Sequence, residues 1–550
     1  MPASQYRGDT VDVIIAGCGP TGATMANLLG RRGWRVAVVE RTPTPYDKPR
    51  AITADHEALR VFQEIGLADA IAEKTCAHAG TDFVGVQGQV IKRFYPAPPP
   101  YPLTWQPNWM FVQPELEAIL RNGIKRYPNV QMLLEHDALD FEQDAQGVQV
   151  RVANLADGAQ RILQARYLLA CDGARSPIRS QLNLSIEDLA FDEWWLVVDM
   201  WQRGPVSLPE RCVQYCRPSR PGTYIRGPGD LRRWEIKMLP AEKPEDFENA
   251  AAVLDVLGSF VDTANLELCR SAVYRFHALV GDEWRTGRVV LMGDAAHQMP
   301  PFLGQGMCAG IRDTVNLAWK LDAVLHERAP QTLLDTYCDE RKTHVRTVVA
   351  HAKSFGQVIG ELNEDAARER DRRLEAELAA GRAETVRQRF IPGLETGMIA
   401  RDGDGRPAGG AGDLFPQPWV RTAAAPAWRR LDDVTGATFR IVVRDVQLWQ
   451  RTPEGLREAW SVLGGSVWAL TGASPATAGE SEQGIPEFSE RDELVGAWLR
   501  QHEAAAVVVR PDHYVYGAAA DAHELSSIIE QLMEAFHTRQ RAETSALQAA

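Results

Sequence analysis

The sequence predicts an α/β fold: a discontinuous nucleotide-binding domain, an inserted sheet and a separate β-rich C-terminal region. Three observations carry this. Residues 11–16, "VDVIIA", form a short apolar run that suits a buried parallel strand, and a glycine-rich turn and helix-forming residues follow at once. Residues 186–284 alternate apolar and polar positions in several runs, "WWLVVDMW", "RCVQYC", "RRWEIKML" and "LELCRSAVYRFHA", which is the pattern of strands. A Gly/Pro/Asp-rich stretch, "ARDGDGRPAGGAGDLFPQP" at 400–418, then sets off the last part of the chain.

The turn after the first strand reads Gly17-Cys18-Gly19-Pro20-Thr21-Gly22, a G-x-G-x-x-G. Gly17 suits the tight turn, Gly19 lets backbone approach a pyrophosphate, and Gly22 lets helix and strand pack closely. The helix N-terminus offers free N–H groups and a positive dipole end to phosphates. A second strand, "RVAVVE", ends in Glu40, followed by Arg41. Glu40 suits ribose hydroxyls and repels a 2′-phosphate, so the dinucleotide is FAD or NAD rather than NADP. The strand, turn, helix, strand and acid together predict a Rossmann-like domain, but they do not choose between those two cofactors.

Four further segments bear on the choice. They are "KPRAITADHEALRVFQEIGL" (48–67), "FVQPELEAIL" (111–120), "ARYLLACDGARSPIR" (165–179) and "RVVLMGDAAHQMPPFLGQGMCAG" (288–310). With the fingerprint they give G-x-G-x-x-G, then Asp172-Gly173, then Gly293-Asp294 in chain order. This combination resembles the group A flavoprotein monooxygenases, the single-component aromatic hydroxylases. The segments "DHEALR", "QPELE", "FDEWWLVVDM" and "RRWEIKML" are similar to those of 3-(3-hydroxyphenyl)propionate hydroxylases and their relatives.

The resemblance implies bound FAD, transient NADH or NADPH, O₂ and a small aromatic substrate. The implied reaction hydroxylates a phenol through a flavin C4a-hydroperoxide; a tailoring oxygenase acting on a larger polyketide-like or antibiotic aromatic is the alternative. By position, Gly17, Gly19, Pro20, Thr21, Gly22, Glu40 and Arg41 serve the ADP half of FAD, and Asp172 serves both FAD and the pyridine nucleotide. Asp294 bonds the ribitol, and Arg50 and Gln113 reach the flavin side. Loop amides at Gly304, Gly306 and Met307, with the helix that starts there, would stabilise negative charge on the reduced ring. There is no second G-x-G-x-x-G for NAD(P)H, so the nicotinamide is expected to visit rather than reside.

Ring activation needs a base or hydrogen-bond partner, and water must be kept away. His277, Tyr215, Tyr224 and Arg226 are candidates for the first role, and the Pro301 carbonyl for contact with the substrate hydroxyl. His277, Tyr215 and Pro301 stand as the catalytic candidates. Trp105, Trp109, Trp194, Trp195 and Phe302 are candidate walls, and His297 reads as positional. A flavin halogenase is disfavoured because "TWQPNWM" lacks the W-x-W-x-I-P spacing. A fold that has lost its chemistry is disfavoured by the retained Asp172, Asp294 and glycine loop.

The expected domains are FAD-binding at 1–75, 112–185 and 285–365, and a substrate sheet at 76–111 and 186–284. A helical connection at 366–399 with a solvated charged face, a linker at 400–425 and a C-terminal domain at 426–550 complete the chain. "ATFRIVVRD", "GSVWALTG" and "EAAAVVVRPDHYVYG" in that last domain resemble the thioredoxin-like domain of these hydroxylases. It has no C-x-x-C, which excludes dithiol chemistry there. A net charge of −13 over 550 residues argues against nucleic acid or an anionic membrane as partner. No apolar run spans a membrane, the N-terminus has no secretory h-region, and the eight cysteines lack zinc spacing. A cytoplasmic, metal-free enzyme is expected, with a homodimer left open.

Overall fold

The computed structural model describes residues 9–47, 50–471 and 484–548. The chain forms two compact units. The first takes 1–98, 106–314 and 345–391; the second takes 99–105, 315–344 and 392–550. No helix among the described residues is long and apolar enough to cross a membrane.

The first unit holds a six-stranded sheet in the order Arg285–Thr286, Val289–Leu291, Tyr167–Ala170, Val13–Ala16, Val36–Glu40 and Val130–Leu134. Only the first pairing is antiparallel. Val13, Ile14, Ile15 and Ala16 are all buried, as a parallel strand covered on both faces requires. Val13–Ala16 has the next strand in sequence on one side and the much later Tyr167–Ala170 on the other. Such a reversal of strand order opens a crevice at the carboxyl ends of the strands. Gly17, Glu40, Cys171-Asp172 and Gly293-Asp294 all sit at those ends.

The inserted sheet has nine strands. From Leu266–Gly281 it runs through Ile186–Gln202, Leu231–Lys237, Gly222–Arg226 and Cys212–Tyr215 to Thr81–Val84 and Val90–Tyr95, with His297–Gln298 at one edge and Glu384–Val386 at the other. Its faces alternate cleanly. Leu196, Val198, Val213, Tyr224, Trp234 and Ile236 pack with Val253 and Leu257 of the helix Ala250–Leu257 in one core. Val197, Cys212, Gln214, Thr223, Ile225 and Glu235 face the other way.

The segment 366–399 departs from the expected solvated connection. The helix Glu364–Ala379 buries Ala367, Arg370, Asp371 and Leu374. Asp371 accepts from the Val86 N–H at 2.7 Å, and Arg370 donates to the carbonyls of Val358 and Cys216 at 2.8 and 2.5 Å. The chain then adds the edge strand Glu384–Val386 in parallel to Val90–Tyr95.

The second unit is built on a seven-stranded sheet whose centre runs Ser466–Thr471, Arg440–Val443, Ala506–Val509, Val515–Ala519. The first two are parallel with helices between them, and the last two form an antiparallel hairpin followed by the helix Ala522–Gln548. This is the thioredoxin-like arrangement. Residues 315–344 pack with this unit, where Lys320 and Glu340 (2.8 Å) and Arg510 (2.7 Å from Glu340) form a wholly buried ion cluster with Asp512. The expected linker at 400–425 is structured: Gln417 is buried on the Pro102 and Leu103 carbonyls, and Trp419–Arg421 joins the sheet.

Candidate active site

Two adjoining cavities open in the first unit. The larger, about 990 Å³, lies at the carboxyl ends of the parallel strands and is lined by Gly17, Gly19, Glu40, Arg121, Asp172 and Arg179 among others. The smaller, about 280 Å³, lies against the inserted sheet. Arg50, Ala174, Tyr274, Arg275, His277 and Gln298 border both.

The glycines of the fingerprint do different work. A Cβ at Gly17 (φ +97°) would meet the Cys171 carbonyl oxygen at 2.3 Å, and one at Gly22 would meet the Gly17 oxygen at 2.0 Å. A Cβ at Gly19 would meet nothing within 4 Å. Gly17 and Gly22 are therefore required by the protein's own packing, whereas nothing in the packing requires Gly19, which borders the open cleft. The helix Pro20–Arg31 points its free N–H groups at that space. Glu40 accepts from the Cys18 N–H at 2.7 Å and lines the cleft, as does Arg41, which pairs with Asp137 at 3.6 Å.

Two buried polar atoms are left without a protein partner here: Arg121 Nη1 and Asp172 Oδ1. The other Asp172 oxygen accepts from Ser176 Oγ and the Ile178 N–H at 2.8 and 3.2 Å. Burial raises the Asp172 pKa, against those hydrogen bonds. An unmatched guanidinium N–H and an unmatched carboxyl oxygen beside a phosphate-sized gap fit a dinucleotide with hydroxyls and charged phosphates.

Other predicted cofactor residues act from behind the walls. Thr21 fills the space against Gly293 and Gly310, where a Cβ would come within 2.7 and 2.3 Å of its Oγ1. Gln113 accepts from the Ala51 N–H at 2.7 Å and donates to Glu117 at 2.6 Å, bracing the segment that carries Arg50. Met307 lies in the first turn of the helix Gly306–Leu325 and lines neither cavity. Asp294, Gly304 and Gly306 do line the smaller one. Asp294 is exposed between buried neighbours, with no side-chain hydrogen bond among the described residues. His297 is positional: its Nε2 lies 2.8 Å from Asp313, which also accepts from the Gly293 N–H at 3.0 Å and so fixes the turn.

Of the catalytic candidates, Pro301 and His277 line the smaller cavity and Tyr215 does not. Gln214 faces the cavity, so its neighbour on the strand must face the opposite core, where Tyr215 packs on Phe260 at 5.2 Å. Tyr224 points the same way. The Pro301 carbonyl already accepts from the Gly304 N–H at 2.7 Å. His277 sits at the open margin, 3.5 Å from Asp192, which Arg275 also binds. Among the aromatic candidates only Phe302 forms a wall. Trp195 backs it at 4.9 Å, Trp194 borders the larger cleft, Trp109 donates to the Asp55 carbonyl, and Trp105 lies in the second unit against Arg430.

Two cavity residues escape a reading of the sequence. Glu235 is 6% exposed, and burial pushes its carboxyl up to about 7 against the pull of Arg233. Arg387 is 7% exposed, with Nη1 unsatisfied and no hydrogen bond or ion pair among the described residues; burial lowers its pKa. The first carried a faint signal, since Arg233, Glu235 and Lys237 share one face of a strand whose other face is Trp234 and Ile236. The second carried none.

A largely parallel sheet with this cleft at its carboxyl ends, next to a cavity on a second sheet, is the architecture of a dinucleotide-binding protein. The chain belongs to the family described as FAD binding domain, matched over residues 10–352, and carries an HcaD C-terminal domain over 412–535. It is 34% identical to 3-(3-hydroxy-phenyl)propionate/3-hydroxycinnamic acid hydroxylase 2 of Burkholderia vietnamiensis, over 97% of this chain and 98% of that one. It is 33% identical to a probable NADH-specific resorcinol 4-hydroxylase of Rhodococcus jostii, over 96% and 95%. Its fold matches the flavin-dependent monooxygenase PieE (TM-score 0.79, 22% identity, 96% of this chain and 99% of that one). It also matches aklavinone-11 hydroxylase (TM-score 0.74, 24% identity, 95% and 99%). The protein is an FAD-dependent, NAD(P)H-using aromatic-ring monooxygenase.

Proposed function

We propose that the protein hydroxylates a single-ring phenol bearing a short anionic side chain, such as the 3-(3-hydroxyphenyl)propionate named for its relative. The observation that carries this is Arg387. A guanidinium stays charged when buried, and a buried charge without a partner is costly unless a ligand supplies one. A carboxylate matches its fork with two parallel hydrogen bonds. Cavity size supports one ring: about 280 Å³ is at the low end for ligand pockets, and the flavin edge must share it through Asp294, Gly304 and Gly306. That disfavours a polycyclic substrate.

When bound, FAD supplies electrons taken from NAD(P)H and, with O₂, one oxygen atom for the ring. The remaining tasks fall to this chain. Gly19, the helix Pro20–Arg31, Arg121, Glu40 and Asp172 would hold the cofactor in the larger cleft, and Asp294 would hold its ribityl chain. The N-terminal end of the helix Gly306–Leu325 would place positive potential where the reduced ring carries charge. Phe302 and Pro301, backed by Trp195, would flatten the substrate ring and keep water out. The eight cysteines are free thiols, which suits a reducing cytoplasm.

The test is a panel of phenols assayed for NAD(P)H oxidation, with products identified by mass. Coupled formation of a dihydroxy product from a carboxylated monocyclic phenol is expected. Turnover of polycyclic phenols alone would overturn the reading.

A further inference from the structure

Resting on this reading of the smaller cavity as the phenol site, we propose that Glu235 is the group that takes the proton from the substrate hydroxyl. Glu235 is on the strand Leu231–Lys237, level with Val197 on one neighbouring strand and Thr223 on the other. Thr223 in turn is level with Gln214, and the two are joined by a hydrogen bond of 2.5 Å between Thr223 Oγ1 and Gln214 Oε1. Glu235, Thr223 and Gln214 thus form one polar row across an otherwise apolar wall, all facing the cavity.

Within that row Glu235 is the one carboxyl, and no hydrogen bond among the described residues occupies it. Arg233 comes within 3.9 Å but its fork is spent elsewhere. Its Nε and Nη2 grip Asp199 at 2.6 and 3.0 Å, and its Nη1 donates to the Arg50 carbonyl. The other candidates lack one requirement or another. Tyr215 and Tyr224 face the opposite core, His277 lies at the margin on Asp192, and the Nδ1 of His78 already accepts from the Gly80 N–H at 3.0 Å.

The remaining charged or titratable groups around the chamber are Asp199, Arg50, Cys212, Tyr274, Arg275, Asp294 and Arg387. Asp199 disfavours ionisation of Glu235 and Arg233 favours it; burial dominates both, which sets the carboxyl near neutrality. A general base works best when its pKa lies near the operating pH.

The step is a proton transfer. The phenol O–H bond breaks, a bond forms from hydrogen to a Glu235 carboxylate oxygen, and the electron pair stays on the phenolate oxygen, where it activates the ring. The proton returns when product forms, so no oxidant or further reactant is needed.

The experiment uses FAD-loaded enzyme, a carboxylated phenol and its more acidic ring-fluorinated analogues. In the wild type, single-turnover hydroxylation should rise with pH through about 7, as the Glu235 carboxyl becomes free to accept the proton. Glu235→Gln should lose that transition. Its single-turnover hydroxylation should fall about 100-fold, and the acidic analogues should restore most of the rate. Glu235→Asp keeps the carboxylate and should keep the transition at a lower rate. The proposal is overturned if Glu235→Gln keeps the transition unshifted, or if the acidic analogues rescue nothing. If the wild type hydroxylates only polycyclic phenols, the reading of the function fails, and the same transition and rescue measured on those phenols still decide the role of Glu235.

Discussion

Replacing Arg387 by methionine should make the protein more stable and the enzyme worse. The guanidinium is buried at the chamber wall with an unsatisfied Nη1 and no ion pair within 4.0 Å among the described residues, Asp55 acting on it only from further away. An unpaired buried polar group costs roughly 1–3 kcal/mol, more when charged. Methionine keeps the apolar stem and removes that cost. With unfolding entropy near 2.1 cal/mol/K per residue, the gain is about 1–4 °C in Tm for a unit of this size. Breaking a desolvated charge pair with a ligand costs about 2–5 kcal/mol. At about 1.4 kcal/mol per decade, kcat/KM for a carboxylated phenol should therefore fall between about 30-fold and about 4,000-fold. A neutral phenol of the same shape should lose far less. Calorimetry and steady-state kinetics on the paired substrates measure both signs. A drop in Tm with equal losses on the two substrates would refute the reasoning, because it would make Arg387 a structural residue.

The fingerprint glycines give a second contrast. Gly22→Ala should impair folding, since its Cβ meets the Gly17 oxygen, whereas Gly19→Ala should fold normally and bind FAD more weakly, as flavin content after gel filtration would show. Tyr215→Phe should leave kcat and KM for the phenol within about twofold, because its ring packs in the core away from the chamber. Acid unfolding should report Glu340. Its carboxyl is held down to about 2 by Arg510 and Lys320, so its stabilisation is present above the ordinary value of 4.5 and is lost as pH falls toward 2; Glu340→Gln should flatten that limb in a urea series. Glu235 has the opposite sign. Raised from 4.5 to about 7, it penalises the folded state increasingly between those values and constantly above them, so Glu235→Gln should gain up to roughly 3 kcal/mol at pH 8 and little at pH 4.

The strand alternation in 186–284 was legible, and with it the existence of a second sheet, because one face of that sheet packs a large apolar core. Which face each tyrosine took was harder to read. Tyr215 and Gln214 differ by one register step, and only pairing with Gly222–Arg226 and Thr81–Val84 fixes which points at the chamber. The charged run at 364–390 misled for a related reason. Its composition suits solvent, but Arg370, Asp371 and Arg387 find partners or a ligand space only after the chain returns to the sheet edge at Val90–Tyr95.

The sequence by itself determined the dinucleotide cleft. Gly17, Gly19 and Gly22, with Glu40, belong to one continuous strand–turn–helix–strand unit, whose geometry is set by local sterics and short spacing. Asp172 and Asp294 each lie just past the end of a buried strand, but their assignment came from the resemblance to a family and not from local sterics. How the smaller cavity is assembled was decided by the tertiary structure. Its walls come from about ten separated stretches of chain, and its two most telling groups, Glu235 and Arg387, lie about 150 residues apart. Their chemistry depends on burial, and burial is a property of the packed whole.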